Sequence, residues 1–245
     1  MIYETLLKLK RSNKPFGIQK AINIMHYDPN RVLLSINSVD YVVIDGYKFR
    51  ATDQIDSLQR VEGNSWFDGV RSTDFVLDIG ANIGAITIPL ASKAGYVVAI
   101  EPLFSDYLKD NVRLNNLDNV HIMEYAISNQ KTMDVIFSSR RKKVACLPFK
   151  LLIDELPQID FLKVDCEGGE WDILPSDLVG IRELRLEFHI RRDHFKDDIY
   201  CLFTEWYEWL KDNNYQFEIT EGDTPPPFHT IKECYLLNAR RNENK

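Results

Sequence analysis

The chain has 245 residues, 44% of them hydrophobic, with 30 basic and 37 acidic side chains and a formal net charge of −7. This length and hydrophobic content suffice for one α/β domain with appendages. The acidic balance disfavours nucleic acid as the default partner, because duplex binding usually needs a basic face.

The cysteines and the N-terminus predict a cytoplasmic protein. The cysteines are too widely spaced for a CxxC redox pair or a zinc ligand set, so reduced, mostly buried thiols are expected at Cys146, Cys166, Cys201 and Cys234. An acidic residue, Glu4, precedes the first basic residues, which is the wrong order for a secretory signal. No apolar run approaches the roughly 18 residues of a membrane span, so no membrane partner is predicted.

The first 70 residues are predicted to form a small α+β extension. Apolar residues over 2–9 predict an amphipathic helix that ends before Pro15. A β meander with a turn at Asp45-Gly46 is predicted over residues 32–36, 41–44 and 47–51. Residues 53–70 are compatible with helix or loop.

Residues 71–245 are predicted to form the main domain, because strands and helices alternate from residue 75 onward. This alternation predicts a doubly wound, mostly parallel sheet of α/β type with helices on both faces. The predicted parallel strands are 75–79, 96–100, 120–125, 160–164 and 183–188.

Two helices and a terminal hairpin complete this predicted seven-stranded, Rossmann-like sheet. Phe104, Leu108 and Val112 recur every four residues and predict one helix, and a second is predicted over 197–212. Strands near 215–219 and 233–238 then form an antiparallel C-terminal hairpin. The loop EGDTPPPFHT between them is predicted to be stiff and extended, since proline cannot continue a ladder.

The stretch LDIGANIGAIT, residues 77–87, predicts a ligand-binding turn at the carboxyl end of the first parallel strand. Gly80 and Gly84 allow the backbone to approach a ligand closely at the crevice where open α/β sheets bind. The turn does not match the G-x-G-x-x-G pattern of dinucleotide enzymes. Asp78 immediately before it would repel a pyrophosphate and attract a cation.

A second acidic residue, Glu101, ends the next predicted strand, 21 residues beyond Gly80. At this spacing a carboxylate reaches ribose hydroxyls in nucleotide-binding sheets. S-adenosylmethionine fits both observations, because it carries a ribose and cationic groups but no phosphate.

Three stretches make the chain resemble the FkbM-type family of S-adenosylmethionine-dependent methyltransferases. They are FVLDIGANIGAITIPLA, AIEPLFSDYLKDNVRLNNLDNVHIMEYAIS and LPFKLLIDELPQIDFLKVDCEGGEWDIL, within residues 75–190. The third is the most discriminating, since Lys163, Asp165, Glu167, Gly168 and Glu170 resemble the family's signature.

The resemblance implies a methyl donor bound at the strand ends and, as its usual reaction, O-methylation of a hydroxyl on a sugar or other small molecule. The predicted donor-binding residues are Asp78, Gly80, Ala81, Asn82, Gly84, Glu101, Pro102, Glu124, Tyr125, Ala126 and Asp165. The segment Glu124–Ala126 is expected near the adenine. Pro89 falls inside the helix that is expected after the glycine turn. Because proline is unfavourable in a helix interior, that helix must bend or begin late.

The chemistry is expected from acidic and histidine side chains that end the fourth and fifth predicted parallel strands. Alternation along each strand brings together a cluster of Asp165, Glu167, Glu170, Glu187 and His189. His189 or Glu167 is predicted to act as the general base, with Asp165 close to the donor and Glu170 orienting the acceptor. A divalent metal site in this cluster is an alternative that the sequence leaves open and does not support by itself.

The run Arg140-Arg141-Lys142-Lys143 is interpreted as a solvated turn in an inserted hairpin, or as a clamp for an anionic acceptor. The clamp reading leaves an RNA methyltransferase as the main alternative to a small-molecule methyltransferase. A non-catalytic S-adenosylmethionine-binding module is a further alternative, because intact Asp78 and Glu101 are compatible with it. Trp66, Phe67 and Phe228 are candidate lids over the acceptor. The identity of the acceptor and the oligomeric state stay open.

Overall fold

The structure is a computed structural model that describes residues 32–36, 39–50, 65–137, 140–189, 199–220 and 234–242. The predicted helix over 2–9 and the proline-rich loop over 221–230, with Phe228, lie outside these residues.

Strands and helices alternate along most of the described chain. The strands are β1 (Val32–Ile36), β2 (Val39–Ile44), β3 (Tyr47–Arg50), β4 (Phe75–Ile79), β5 (Tyr96–Ile100), β6 (Val120–Met123), β7 (Ala126–Ile127), β8 (Thr132–Phe137), β9 (Arg140–Leu147), β10 (Phe161–Val164), β11 (Glu183–His189), β12 (Tyr215–Thr220) and β13 (Cys234–Arg241). The α-helices are α1 (Thr87–Ala91), α2 (Ser105–Leu114), α3 (Phe149–Glu155) and α4 (Ile199–Asp212).

A seven-stranded sheet in the order β12-β13-β11-β10-β4-β5-β6 forms the centre of the fold. Strands β6, β5, β4, β10 and β11 pair in parallel, whereas β13 pairs antiparallel with both β11 and β12. The prediction of a mostly parallel, doubly wound sheet with a C-terminal antiparallel pair is therefore confirmed. All four residues of β10 are buried, as expected of a strand covered on both faces.

The N-terminal strands form a separate antiparallel sheet that confirms the predicted meander. Its order is β1-β2-β3. Asp45 and Gly46 both have positive φ angles, 49° and 83°, as a two-residue hairpin turn requires. Val42, Ile44 and Phe49 are buried in one apolar cluster with residues of the main sheet and α2. The extension thus packs directly on the helix that follows β5.

Pro89 is accommodated because α1 begins late. The helix starts only at Thr87, so proline occupies its third position. The N–H groups of a first helical turn have no intrahelical acceptor, and proline therefore removes no helical hydrogen bond there.

The basic run forms part of a strand, which corrects its interpretation as a solvated turn. Arg140 to Lys143 make up the first half of β9, which pairs antiparallel with β8. Arg140 donates to the Leu103 carbonyl at 2.6 Å and pairs with Asp106. Lys142 donates to the Pro102 carbonyl at 3.2 Å. Alternate residues of β9 therefore fix this hairpin to the chain that leaves β5.

None of the helices within the described ranges is long and apolar enough to cross a membrane.

Candidate active site

The carboxyl ends of β4, β5 and β10 form one continuous edge of the sheet. The backbone N–H groups of Gly80 and Ala81 both donate to the carbonyl of Ile100, at 3.0 and 3.1 Å. The N–H of Asp165 donates to the carbonyl of Ile79 at 3.0 Å. The glycine turn and the segment after β10 are therefore neighbours, as the parallel order of the strands requires.

Gly80 allows these two segments to touch through their backbones. Its φ is 76°, and a Cβ atom at this position would lie 1.7 Å from the carbonyl oxygen of Asp165. No side chain fits in that space, so the turn after β4 requires glycine for both its conformation and its contact. Asn82 also lies in the left-handed region, with a φ of 52°, and Gly84 reaches 93°.

Asp78 does not face the crevice, which corrects its predicted role as the partner of the donor's cationic groups. The residue is fully buried. Its Oδ2 accepts a hydrogen bond from Thr87 at 2.6 Å, and its Oδ1 lies 3.0 Å from Nζ of Lys163. The charge of Asp78 is thus offset inside the protein by a buried lysine.

Lys163 stabilises the glycine turn through hydrogen bonds to its backbone. Its ammonium group donates to the carbonyl of Gly80 at 2.7 Å and to that of Ile79 at 3.2 Å. The side chain is only 2% exposed. The pair of Lys163 and Asp78 therefore acts on the donor site through the backbone of the turn.

Glu101 supports the same turn with most of its hydrogen-bonding capacity. Its carboxylate accepts the N–H groups of Asn82, Leu103 and Phe104 at 2.7, 2.6 and 2.9 Å. Burial raises its pKa, while these three backbone hydrogen bonds act in the opposite direction. A carboxylate has about four acceptor positions, so Glu101 retains about one rather than the two that a ribose diol would use.

The segment after β6 lies at the rim of the site. Glu124 and Tyr125 are exposed and Ala126 is half-buried at the start of β7. Glu124 lies 2.5 Å from Lys109 and 3.7 Å from Lys142. The hydrogen bond from Lys109 is the main reason that the pKa of Glu124 is lowered. Because Lys142 also contacts Pro102, β9 links two segments that are predicted to bind the donor.

The predicted acidic and histidine cluster is assembled in the structure at the ends of β10 and β11. The Nε2 atom of His189 lies 3.8 Å from Asp165, 3.6 Å from Glu167 and 3.7 Å from Glu187. Its Nδ1 atom lies 3.1 Å from Oε1 of Glu170. Glu167 is the most exposed of the four carboxylates, at 36% of its side chain.

Glu170 is fully buried, which corrects its predicted role in orienting the acceptor. Its Oε1 accepts the backbone N–H of His189 at 2.6 Å, and its Oε2 accepts that of Gly168 at 2.8 Å. The indole of Trp171 donates to the carbonyl of His189 at 2.9 Å. Glu170 and Trp171 therefore hold His189 in place.

The surroundings of His189 favour its charged form, and its predicted role as a general base stays a prediction. Burial disfavours its charged form, but the hydrogen bond to Glu170 and the charges of Glu170, Glu167 and Asp165 outweigh burial and raise the pKa to about 9. The imidazole is therefore protonated at neutral pH when only these groups surround it. A protonated imidazole has no lone pair with which to accept a proton.

A left-handed turn directs the acidic side chains toward His189. Glu167 and Gly168 have φ angles of 60° and 119°. A 3₁₀ turn, Gly169–Asp172, follows directly and places the carboxylate of Glu170 beside Nδ1 of His189. Sequence reasoning treated this segment as an extended strand end, which explains why it placed Glu170 toward the acceptor.

The two cysteines with described side chains are free thiols. Cys166 lies 3.5 Å from Oε2 of Glu170. Burial and the charges of Glu170 and Asp165 raise its pKa well above the ordinary value. The thiol is therefore protonated and a poor nucleophile.

Trp66 is not a lid, which corrects that prediction. It is 7% exposed and packs with Val76, Ile86 and Leu90. Phe67 contacts the same cluster, with Lys93 over its ring at 4.5 Å. Both aromatic residues contribute to the core beside β4.

Sequence reasoning assigned no role to two residues that shape the site, Lys163 and Thr87. A lysine inside a predicted buried strand was the available signal for Lys163, because a buried charge is seldom tolerated without a partner. Thr87 carried no comparable signal, since a hydroxyl in a helix start has many ordinary roles.

The chain is similar to known methyltransferases. A family model described as "Methyltransferase FkbM domain" matches residues 78–217, more than half of the chain. A solved structure of methyltransferase FkbM from Methylobacillus flagellatus KT is similar, with 17% sequence identity and a TM-score of 0.48 over 74% of this chain and 47% of that one.

Two curated relatives are described as probable ribosomal RNA small subunit methyltransferase A. The relative from Methanosphaera stadtmanae is 33% identical over 84 residues, which is 34% of this chain and 29% of that protein. The relative from Methanothermobacter thermautotrophicus is 33% identical over 99 residues, which is 40% of this chain and 33% of that protein. This chain thus spans a third or less of either relative. With more than half of its length matched by the family model, the chain belongs to the FkbM-type family of S-adenosylmethionine-dependent methyltransferases.

Proposed function

We propose that the chain transfers a methyl group from S-adenosylmethionine to a hydroxyl of a sugar or other small molecule. The observation that carries this proposal is the set of carboxylates around His189 beside the glycine turn. One of the carboxylates, Glu167, is 36% exposed and lies two residues after Asp165, whose backbone contacts Gly80. The carboxylates of this cluster are the groups that would accept the proton of a hydroxyl acceptor.

In the proposed reaction the acceptor oxygen attacks the methyl carbon in line with the sulfonium. The new C–O bond forms as the C–S bond breaks, and the leaving group is S-adenosylhomocysteine. The hydroxyl proton passes to a carboxylate, for which Glu167 is the most accessible candidate. The backbone of Asp165 lies against Gly80, which supports the proposal that Asp165 lies close to the donor. Positioning supplies much of the rate enhancement, because the donor carbon is already activated.

The donor is proposed to lie on the turn from Gly80 to Gly84, with Asn82 beside Glu101 and the adenine toward Glu124–Ala126. Asp78 contributes through Lys163 and the turn rather than by contact. We propose that the cationic sulfonium lies near Asp165, because the backbone of Asp165 contacts the glycine turn. The net negative charge of that cluster favours a cationic donor and disfavours a polyanionic acceptor.

An RNA acceptor is the second candidate, because two curated relatives carry a ribosomal RNA methyltransferase description. Arg141 and Lys143 are exposed on β9 and could contact a phosphate. The acidic cluster argues against RNA at the methyl-transfer point itself, since backbone phosphates would approach several carboxylates. A non-catalytic donor-binding module is the third candidate, and turnover separates it from the other two.

The proposal predicts that Glu167→Gln lowers kcat at least about 100-fold with a hydroxyl acceptor, because removal of a general base typically costs two to four orders of magnitude. The measurement is transfer of labelled methyl from S-adenosylmethionine to a panel of monosaccharides, polyols and a ribosomal RNA fragment. The matched control is Glu155→Gln, which changes an exposed carboxylate at the end of α3. Labelled RNA with unlabelled hydroxyl compounds would overturn the small-molecule proposal, and the absence of any labelled product would favour the binding module.

A further inference from the structure

Helix α2 lies against the edge of the N-terminal sheet, which is formed by β1, β2 and β3. Within the described residues, the order β1-β2-β3 places β3 at an edge of this sheet. The N–H groups of Lys48 and Arg50 donate to the side-chain oxygens of Asn115 and Asn111, at 2.9 and 2.7 Å. Two residues along a strand and four along a helix advance by about 7 and 6 Å, so the two asparagines match the strand. Their side chains thus satisfy backbone donors that an edge strand exposes.

The two asparagines differ in where their amide N–H groups donate. Nδ2 of Asn115 donates back to β3, to the carbonyl of Lys48 at 2.7 Å. Nδ2 of Asn111 donates instead to the carbonyl of Ile83 at 2.7 Å, inside the glycine turn. Asn111 is fully buried, and an N–H on one side and a carbonyl on the other fix the orientation of its amide. Asn111 therefore links the N-terminal sheet to the glycine turn.

Apolar contacts join the same three parts of the molecule. Phe49 of β3, Leu108 of α2 and Ile83 of the glycine turn belong to one buried cluster. A Cβ atom at Gly84 would lie 2.7 Å from Cδ1 of Leu108, so α2 packs closely on the turn. The hydrogen bonds of Asn111 thus lie within a packed contact and not in a gap that water could enter.

The glycine turn needs such fixed contacts to keep its shape. Asn82 has a φ of 52°, a conformation that a residue other than glycine keeps where the surrounding structure fixes it. Two of the hydrogen bonds to the turn come from the main sheet, from Lys163 to the Gly80 carbonyl and from the Asn82 N–H to Glu101. Asn111 provides a third, from the side of the N-terminal sheet.

We propose that Asn111 is a positioning residue for the donor site, through which the N-terminal sheet fixes the shape of the glycine turn. Loss of the hydrogen bond to the Ile83 carbonyl releases one side of the turn, so S-adenosylmethionine binds more weakly. The N-terminal extension is then a working part of the donor site. This inference rests on the donor site of the proposed function but not on the identity of the methyl acceptor.

Asn111→Asp tests the link, because it keeps an oxygen for the Arg50 N–H but sets a carboxylate oxygen against the Ile83 carbonyl. Asn115→Asp is the matched control, since it makes the same change one turn later on α2, where the amide donates to Lys48. S-adenosylmethionine binding is measured by calorimetric titration below the melting temperatures of all variants. Asn111→Asp should raise the dissociation constant at least about tenfold, and Asn115→Asp less than about twofold.

The dissociation constant separates a positioning role from a purely structural one. A purely structural role would lower the melting temperature and the fraction of folded sites, but not the affinity of the sites that are folded. Asn111→Leu removes the amide without adding a buried charge, and it provides the same test if Asn111→Asp does not fold. It should also raise the dissociation constant at least about tenfold, because the Ile83 carbonyl loses its hydrogen bond from Asn111.

Arg50→Pro tests the contribution of the N-terminal sheet without a change on α2. It removes the N–H that donates to Asn111, and proline is tolerated on an edge strand where the N–H points away from the sheet. Arg50→Gln is its control, because it keeps the N–H and removes the guanidinium that pairs with Asp110. The dissociation constant should rise about threefold or more with Arg50→Pro and stay unchanged with Arg50→Gln.

Hydrogen–deuterium exchange over residues 77–87 without the donor measures the turn itself. Exchange should be faster in Asn111→Asp than in the unchanged protein or in Asn115→Asp. Donor binding that neither Asn111 variant weakens, or that Asn115→Asp weakens equally, would overturn the positioning role and leave the proposed function intact. Faster exchange in Asn111→Asp, with no donor binding by the unchanged protein, would contradict the proposed donor site and support the link between the N-terminal sheet and the turn.

Discussion

Gly80→Ala is expected to abolish S-adenosylmethionine binding and to lower the melting temperature by at least about 8 °C. A left-handed alanine alone costs about 1–2 kcal/mol. Here the added methyl would also lie 1.7 Å from the carbonyl oxygen and 2.6 Å from the carbonyl carbon of Asp165. The turn after β4 must therefore separate from the segment after β10, a change that we place at about 4 kcal/mol or more.

Gly46→Ala measures the conformational part of this effect alone, so the difference between the two variants gives the steric part. Gly46 has a φ of 83°, close to that of Gly80, yet a Cβ atom there would meet nothing within 4 Å. We expect this variant to lose about 1–2 kcal/mol of stability and to bind the donor normally. Both variants are compared by thermal melting and by calorimetric titration with S-adenosylmethionine. Equal effects of the two substitutions on donor binding would contradict the close backbone contact between Gly80 and Asp165.

Lys163→Met is expected to destabilise the protein by about 3–5 kcal/mol, because it leaves the carboxylate of Asp78 buried without its cation. Asp78 is fully buried, and its remaining described hydrogen bond comes from Thr87. For a chain of this size the loss corresponds to roughly 6–20 °C in melting temperature. The substitution also removes the hydrogen bond from Nζ to the Gly80 carbonyl, so donor binding should weaken as well.

The double variant Lys163→Met with Asp78→Asn separates these two consequences. It removes the unpaired charge, so at least half of the lost stability should return, but the hydrogen bond to Gly80 stays absent and donor binding should stay weak. Lys150→Met is the surface control, because Lys150 and Asp154 form an exposed pair one turn apart on α3. Such pairs contribute about 0.3–0.5 kcal/mol. A loss at Lys163 no larger than at Lys150 would refute the structural role of the buried pair.

The sequence predicted the positions of the glycine turn and of Glu101 because both follow from strand order and spacing. Parallel strands place their carboxyl ends at one edge, so residues that end successive strands become neighbours regardless of detail. The same argument brought Asp165, Glu167, Glu187 and His189 together correctly. Periodicity thus identifies which residues meet.

Burial and side-chain direction could not be predicted in the same way. In the sequence, nothing distinguishes Asp78 and Glu170 from acidic residues that are exposed. In the structure, Asp78 pairs with Lys163 and Glu170 contacts Nδ1 of His189. Their positions depend on a partner on a neighbouring strand and on the left-handed turn at Glu167, and neither is a periodic feature. The strand at Arg140–Lys143 was missed for a related reason, since its basic side chains are fixed by Leu103, Asp106 and Pro102 from another part of the chain.

Donor binding tests the central claim most directly, and a thermal melt with S-adenosylmethionine, with S-adenosylhomocysteine and with NAD measures it. At a concentration one hundred times the dissociation constant, either methionine nucleoside should add about 2.7 kcal/mol, a rise of roughly 5–11 °C for a chain of this length. NAD should leave the melting temperature unchanged, because its pyrophosphate has no matching site at the turn from Gly80 to Gly84. No rise with either nucleoside, or an equal rise with NAD, would contradict a methyl-donor site at the carboxyl ends of β4 and β5.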